Sequence, residues 1–190
     1  MIDPAILGPF SRLQELLREL LRGHPAEAAR QPLDPRLGCL AWQLGEAVYR
    51  ETYWLREVLC GDADLTARVR HLFCDEVAPR DVCAQLPPVE HLLHWAGEIQ
   101  QEHLRRLATP GALPAHPLLA DDRLAWYLLQ MHARTFERML ALKRLHELGR
   151  ETADYRVRAP LAPALPATDT QPVNQGHYRV GSRHDPFALD

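Results

Sequence analysis

The chain has 190 residues, of which 46% are hydrophobic, so it can form one domain with a true core and carry an additional tail. The formal net charge of −3 argues against a nucleic-acid-binding surface, which requires a basic excess. No apolar run approaches the ~18 residues that span a bilayer, and the N-terminus has an acid where signal peptides carry basic residues. We therefore expect a cytoplasmic protein that binds neither membranes nor nucleic acid.

Four segments have the apolar spacing of amphipathic helices. They run from about Pro9 to Arg22, Pro35 to Leu59, Pro88 to Leu107 and Ala120 to Leu148. Glycine or proline follows each segment within a few residues, which is typical of helix ends. The long connection at 66–86 has room for a further short helix. The pattern predicts an all-α fold, with a four-helix bundle formed by residues 1–150.

The composition changes after residue 150. Residues 151–173 are rich in proline and alanine and predict an extended linker. In residues 174–190 apolar and polar side chains alternate around Tyr178 and Val180, and Gly181 begins a turn, so this end predicts a short β segment. Because two short strands are not stable alone, we expect the segment to be mobile or to lie on a partner sheet or on the bundle.

Several stretches resemble one enzyme family. AWQLGEAVYRETYWL (41–55) and LLQMHARTFERML (128–140) resemble helical motifs in the DinB-like N-terminal domain of the ergothioneine, ovothiol and selenoneine synthases. APRDVCAQLPP (78–88) resembles that domain's connection into its third helix, and NQGHYRVGSRHDPFALD (174–190) resembles the start of the formylglycine-generating-enzyme-like domain that follows. The resemblance implies a DinB-like four-helix bundle followed by the first strands of a truncated second domain.

The same resemblance implies a chemistry. Synthases of this family join the imidazole carbon of a histidine derivative to sulfur or selenium, using O₂ and a non-heme iron. Three histidines hold that iron, one from the second helix and two, four residues apart, from the fourth. Here Glu46 and Leu128 stand at two of the three positions and only His132 matches. The implied metal site is therefore a remnant at Glu46 and His132, with no cofactor expected in this chain and no catalytic residue assigned.

Three interpretations remain open at this point, and they leave open whether the chain is an enzyme. The first is a metal-free interaction module that pairs with a separate formylglycine-generating-enzyme-like chain. The second is an active metalloenzyme in which a ligand from elsewhere joins Glu46 and His132. The third is a bundle that binds a small molecule or a thiol without redox chemistry. We also expect helices two and four to bring Glu46 and His132 together, so that their side chains face a common interior cavity or groove.

A second group of possible metal ligands lies on the third predicted helix. His91, His94 and Glu98 follow each other at steps of three and four residues and have suitable ligand types. However, Leu92 and Ala96 belong to the core face of the same helix, so we predict a solvated polar face. The four cysteines contain no C-x-x-C pair, and we interpret them as reduced structural thiols.

Overall fold

The computed structural model describes residues 2–33, 37–74 and 77–154. In this part of the chain 80% of the residues are helical, and it contains seven α-helices and no strand. The prediction of a helical chain is therefore confirmed for these residues. The rest of the predicted linker, from residue 155, and the predicted β segment at 174–190 lie outside the described residues.

The helices follow one another with short connections. Their bounds are α1 Pro4–Arg22, α2 Ala26–Ala29, α3 Leu40–Thr52, α4 Asp64–Phe73, α5 Pro79–Val82, α6 Val89–Ala108 and α7 Arg123–Asp154. Two 3₁₀ segments, Cys83–Gln85 and Pro117–Asp122, precede α6 and α7. Long helices α1 and α3 each contact both α6 and α7, and α1 also contacts α3. Among the described residues, no helix combines the length and the apolar composition needed to cross a membrane.

Helix α1 begins earlier than the sequence pattern predicts. Pro9, the predicted start, lies inside the helix. The true N-cap is Asp3, whose side chain accepts a hydrogen bond from the backbone N–H of Ala5 at 2.8 Å, and Pro4 takes the first helical position. Proline is favoured there because its missing N–H would have no partner in the first turn of a helix.

The second predicted helix starts later, at Leu40 instead of Pro35, but runs close to its predicted end. Helix α3 continues directly into a π-helical turn, Tyr53–Val58, before the helical segment ends after Cys60. A π-helical turn is rare and shifts the side chains that follow it around the helix axis. The π-helical turn immediately follows two buried polar residues of α3, Glu51 and Thr52.

The fourth predicted helix also starts later than expected. Asp121 and Asp122 have φ values of 53° and 55°, in the left-handed region, so helical conformation cannot pass through them. Helix α7 therefore begins at Arg123 and not at Ala120. The two aspartates form a bend before the helix instead of belonging to its first turn.

Helix α4 packs very closely on α3. A Cβ atom at Gly45 would lie 2.3 Å from Cζ of Phe73, so only glycine allows the phenyl ring to rest on the α3 backbone. The indole Nε1 of Trp42 donates a hydrogen bond of 2.9 Å to the carbonyl of Leu72 at the end of α4. Helix α4 thus covers the first half of α3.

A layer of buried polar side chains separates the core into two apolar clusters. The first cluster includes Leu17, Leu21, Leu44, Val48, Leu92, Ala96, Met139 and Leu142. The second includes Ile6, Phe10, Leu55, Leu59, Leu107, Leu124, Leu128 and Met131. On each of α1, α3, α6 and α7, buried polar residues lie in sequence between members of the two clusters. We call them the polar layer: Gln14, Glu51, Thr52, Gln100, His103, His132 and Thr135.

Candidate functional site

Glu51 is the centre of the polar layer. Its side chain is completely buried and is contacted by one polar side chain from each of the other three long helices. Nε2 of Gln14 donates to both carboxylate oxygens at 2.9 and 3.0 Å. Nδ1 of His103 lies 2.7 Å from Oε1, and Nε2 of His132 lies 3.1 Å from Oε2. One carboxylate therefore joins α1, α3, α6 and α7.

The contacts of the two histidines determine which nitrogens carry protons. Nδ1 of His132 lies 2.9 Å from the backbone carbonyl of Leu128, which can only accept, so this nitrogen is a donor. Its Nε2 contact with Glu51 is an ion-pair contact without good hydrogen-bond alignment, and it is attractive when that nitrogen is also protonated. Nδ1 of His103 donates to the carboxylate, while its buried Nε2 has no hydrogen-bond partner among the described residues.

Glu51 remains ionised despite its burial. Burial raises the pKa of this carboxyl group, but the charge and hydrogen bond of His103, followed by the contact with His132, more than offset it and lower the pKa to about 2. A buried charge is tolerated only when it is paired and hydrogen-bonded, and removing one partner of such a pair is strongly destabilising. The polar layer is thus a compensated charge network.

Most donor and acceptor atoms of the polar layer contact one another. Both Nδ1 atoms donate hydrogen bonds and both oxygens of Glu51 are in contact with protein donors, while the Nε2 atoms of His103 and His132 have no hydrogen-bond partner among the described residues. In the part of the chain that the structure describes, no group of three or more His, Cys, Asp or Glu side chains could hold a metal ion.

The residues predicted from the family resemblance occupy two different environments. Glu46 is 2% exposed and forms an ion pair with Arg50, one turn further along α3. His132 is fully buried against Glu51. Because Glu46 and Glu51 are five residues apart, they point about 140° away from each other around the helix axis. Leu128, at the remaining family position, belongs to the second apolar cluster.

Glu46 lines a groove between α3 and α7, which we call the arginine groove. Its lining residues are Glu46, Arg50, Tyr127, Gln130, Met131, Arg134, Thr135 and Arg138. His132 is not part of this lining and faces the polar layer. The family resemblance assigned Glu46 and His132 to one site, whereas Glu46 lies in the arginine groove and His132 lies in the polar layer.

Sequence reasoning did not single out Glu51, Gln14 or His103 as site residues. The available signal was a polar residue at a core position of each helix. Glu51 lies three residues after Val48 and four before Leu55, both of which are buried. Such a residue must find a buried partner, and polar interruptions on four helices predict that they meet.

The histidines on α6 that the sequence singled out lie on the surface. Nε2 of His94 is 3.4 Å from Oε1 of Glu98, and these side chains are 76% and 68% exposed. His91 is exposed as well. These three residues therefore form a solvated face of α6, while His103, further along the same helix, is completely buried.

The fold and the site define a helical protein with a charged, hydrogen-bonded interior and an arginine-lined groove. No protein-family model matches the sequence, and neither a curated protein nor a solved structure shows significant similarity to it. The function of the chain therefore has to be inferred from the geometry of the polar layer and the arginine groove and from the motif resemblance.

Proposed function

We propose that this chain is a metal-free four-helix bundle that acts by binding a partner protein. In this proposal it is the counterpart of the DinB-like half of an ergothioneine- or selenoneine-type sulfoxide synthase, with the iron site lost. The observation that carries the proposal is the set of contacts that Glu51 makes with Gln14, His103 and His132. The side chains that could have formed a metal site are instead hydrogen-bonded to one another, to Gln14 and to the backbone.

The positions that the family resemblance assigns to iron do not supply a suitable ligand set. Glu46 is paired with Arg50, Leu128 provides only a buried apolar side chain, and His132 contacts Glu51. Non-heme iron sites of this kind need at least three protein ligands with free lone pairs. We therefore derive no iron-dependent step for this chain and place its role in binding.

An exposed apolar face on α7 supports a role in protein binding. Of the six large hydrophobic side chains that are exposed in the described structure, five lie on α7: Trp126, Tyr127, Leu140, Leu145 and Leu148. At about 100° per residue, Trp126, Leu140 and Leu148 fall on one side of the helix. Aromatic side chains on an exposed apolar face are typical of protein interfaces. The partner we propose is a formylglycine-generating-enzyme-like chain or domain.

Metal analysis tests the metal-free part of the proposal. The full chain is purified, stripped with chelator, incubated with Fe(II), Co(II) or Zn(II) and freed of unbound metal, and we expect no stoichiometric metal to remain. A variant with three new histidines in the arginine groove, Glu46→His/Met131→His/Thr135→His, is the positive control. Positions 131 and 135 are one turn apart on α7, so both imidazoles can reach one ion. One tightly held metal ion per wild-type chain would contradict the proposal.

Co-expression with a formylglycine-generating-enzyme-like chain tests the partner. We expect the two chains to elute together in size-exclusion chromatography, and we expect the surface variant Trp126→Ala/Leu140→Ala to separate them. The matched control is Leu33→Ala, which removes an exposed hydrophobic side chain outside α7. Separate elution of the wild-type chains would contradict partner binding, whereas loss of binding in the control would contradict the assignment to α7.

A further inference from the structure

The arginine groove contains guanidinium groups that no carboxylate neutralises. Arg134 and Arg138 are one turn apart on α7, and among the described residues neither forms an ion pair. Three exposed arginines elsewhere, Arg12, Arg105 and Arg144, each contact a glutamate within one turn of the same helix. Two unneutralised charges that line one concave surface are a favourable place for an anion.

The third arginine of the groove contributes to its net charge. Arg50 on α3 is paired with Glu46, and both line the same groove. With Arg134 and Arg138 the groove therefore contains three guanidinium groups and one carboxylate, and its net charge is positive. The space in the groove is about 90 Å³, which leaves room for a small group such as a carboxylate or a phosphate.

A larger aromatic pocket adjoins the groove and shares two of its residues, Arg50 and Tyr127. This pocket has a volume of about 350 Å³. Its walls include Tyr53 and Trp54, and the ring of Trp54 lies edge-on to that of Tyr127 with centroids 5.6 Å apart. Aromatic side chains of this kind bury the faces of flat ligands efficiently. The two spaces together offer a charged end and an aromatic end.

We propose that the arginine groove and the aromatic pocket form one binding site for a small organic anion that contains a ring. The oxyanion, a carboxylate or a phosphate, lies between Arg134 and Arg138, and the ring lies against Trp54 and Tyr127. Guanidinium groups suit this role because their planar, parallel N–H donors match two oxygens of such an anion. The inference rests on the groove and the adjoining aromatic pocket, and it goes beyond the proposed binding of a partner protein.

Calorimetric titration of the full chain with simple probes tests the ligand class. The probes are 3-phenylpropionate, phenyl phosphate, the neutral 3-phenyl-1-propanol and inorganic phosphate. We expect saturable binding of at least one ring-containing acid, and the tighter of the two identifies the preferred oxyanion. The neutral alcohol and inorganic phosphate should bind at least ~10-fold more weakly, because each lacks one of the two recognised groups. Equal binding of the alcohol, or no binding of either acid at millimolar concentration, would overturn the proposal.

Charge-matched variants test the location. Arg134→Gln/Arg138→Gln removes two charges from the groove, while Arg123→Gln/Arg144→Gln removes two charges from the same helix outside it. We expect the groove variant to bind the acid at least ~10-fold more weakly, as expected for the loss of charge-assisted hydrogen bonds, and the control to bind within twofold of wild type. An equal loss in both variants would show a general charge effect, and unchanged binding in the groove variant would place the ligand elsewhere.

Discussion

The polar layer and the arginine groove both include charged residues of α3 or α7, but they have opposite properties. Glu51 is completely buried and every oxygen of its carboxylate is contacted by a protein donor. In the groove, Arg134 and Arg138 are exposed and form no ion pair in the described structure. The difference teaches that burial decides the role of a charged residue. A closed network stabilises the fold, whereas an open cluster remains able to bind a ligand.

The largest effect is expected from removing the central carboxylate. Glu51→Ala leaves two buried histidines and a buried amide without their acceptor, so we expect the free energy of unfolding to fall by about 3–5 kcal/mol. Urea denaturation followed by circular dichroism measures this change. The matched control is Glu102→Ala, because Glu102 also has a pKa lowered to about 2, first by Arg106 and then by Arg105, but it lies at the surface of α6. Because surface ion pairs contribute less than ~1 kcal/mol, we expect a loss below that value in the control. Equal losses in the two variants would contradict the expectation that the buried carboxylate contributes more to stability than the surface one.

Acid titration measures the contribution of buried Glu51 to stability in a second way. The pKa of Glu51 is lowered in the folded state from 4.5 to about 2, so its contribution to stability is complete above pH 4.5 and is lost as the pH falls towards 2. At ~1.4 kcal/mol per pKa unit this contribution is on the order of 3 kcal/mol. Unfolding free energies measured at several pH values between 2 and 5 should therefore fall less steeply in Glu51→Gln than in wild type. A variant whose stability falls as steeply as that of wild type would show that Glu51 does not titrate in this range.

The smallest effect is expected in the groove. Arg134→Gln/Arg138→Gln removes exposed charges that have no carboxylate partner, so we expect the free energy of unfolding to change by less than ~0.5 kcal/mol. The denaturation experiment used for Glu51 measures it under the same conditions. A loss of more than ~1 kcal/mol would show that the groove arginines stabilise the fold. The proposed difference between a stabilising polar layer and a groove that does not contribute to stability would then be wrong.

The helices were predictable because their signals are local. Apolar residues at steps of three and four mark α1, α3, α6 and α7, and their approximate extents follow from the sequence. Their ends were less predictable because capping depends on backbone conformation. Pro9 suggested a helix start although Asp3 caps the helix, and Gly149 suggested an end although α7 runs to Asp154. A single glycine in a helix costs only ~1 kcal/mol, which neighbouring contacts can offset.

The site was less predictable because it depends on which helix faces meet. The sequence drew attention to His132, and the structure does bury it, but its carboxylate neighbour is Glu51 and not Glu46. Both glutamates are buried on α3, and only the rotation of that helix against α7 decides which of them contacts His132. His94 and Glu98 had favourable spacing for a shared site, yet they lie on the solvent side of α6.

The sequence by itself determined that this protein is helical and where its long amphipathic segments lie, since side-chain periodicity is a property of neighbouring residues. It also determined that polar residues interrupt the apolar stripes. Only the tertiary structure decided that Gln14, Glu51, His103 and His132 meet in one network and that Arg50, Arg134 and Arg138 line one groove. Those groupings join residues from different helices, and burial of Glu51 requires partners that only the packing of α6 and α7 against α3 supplies.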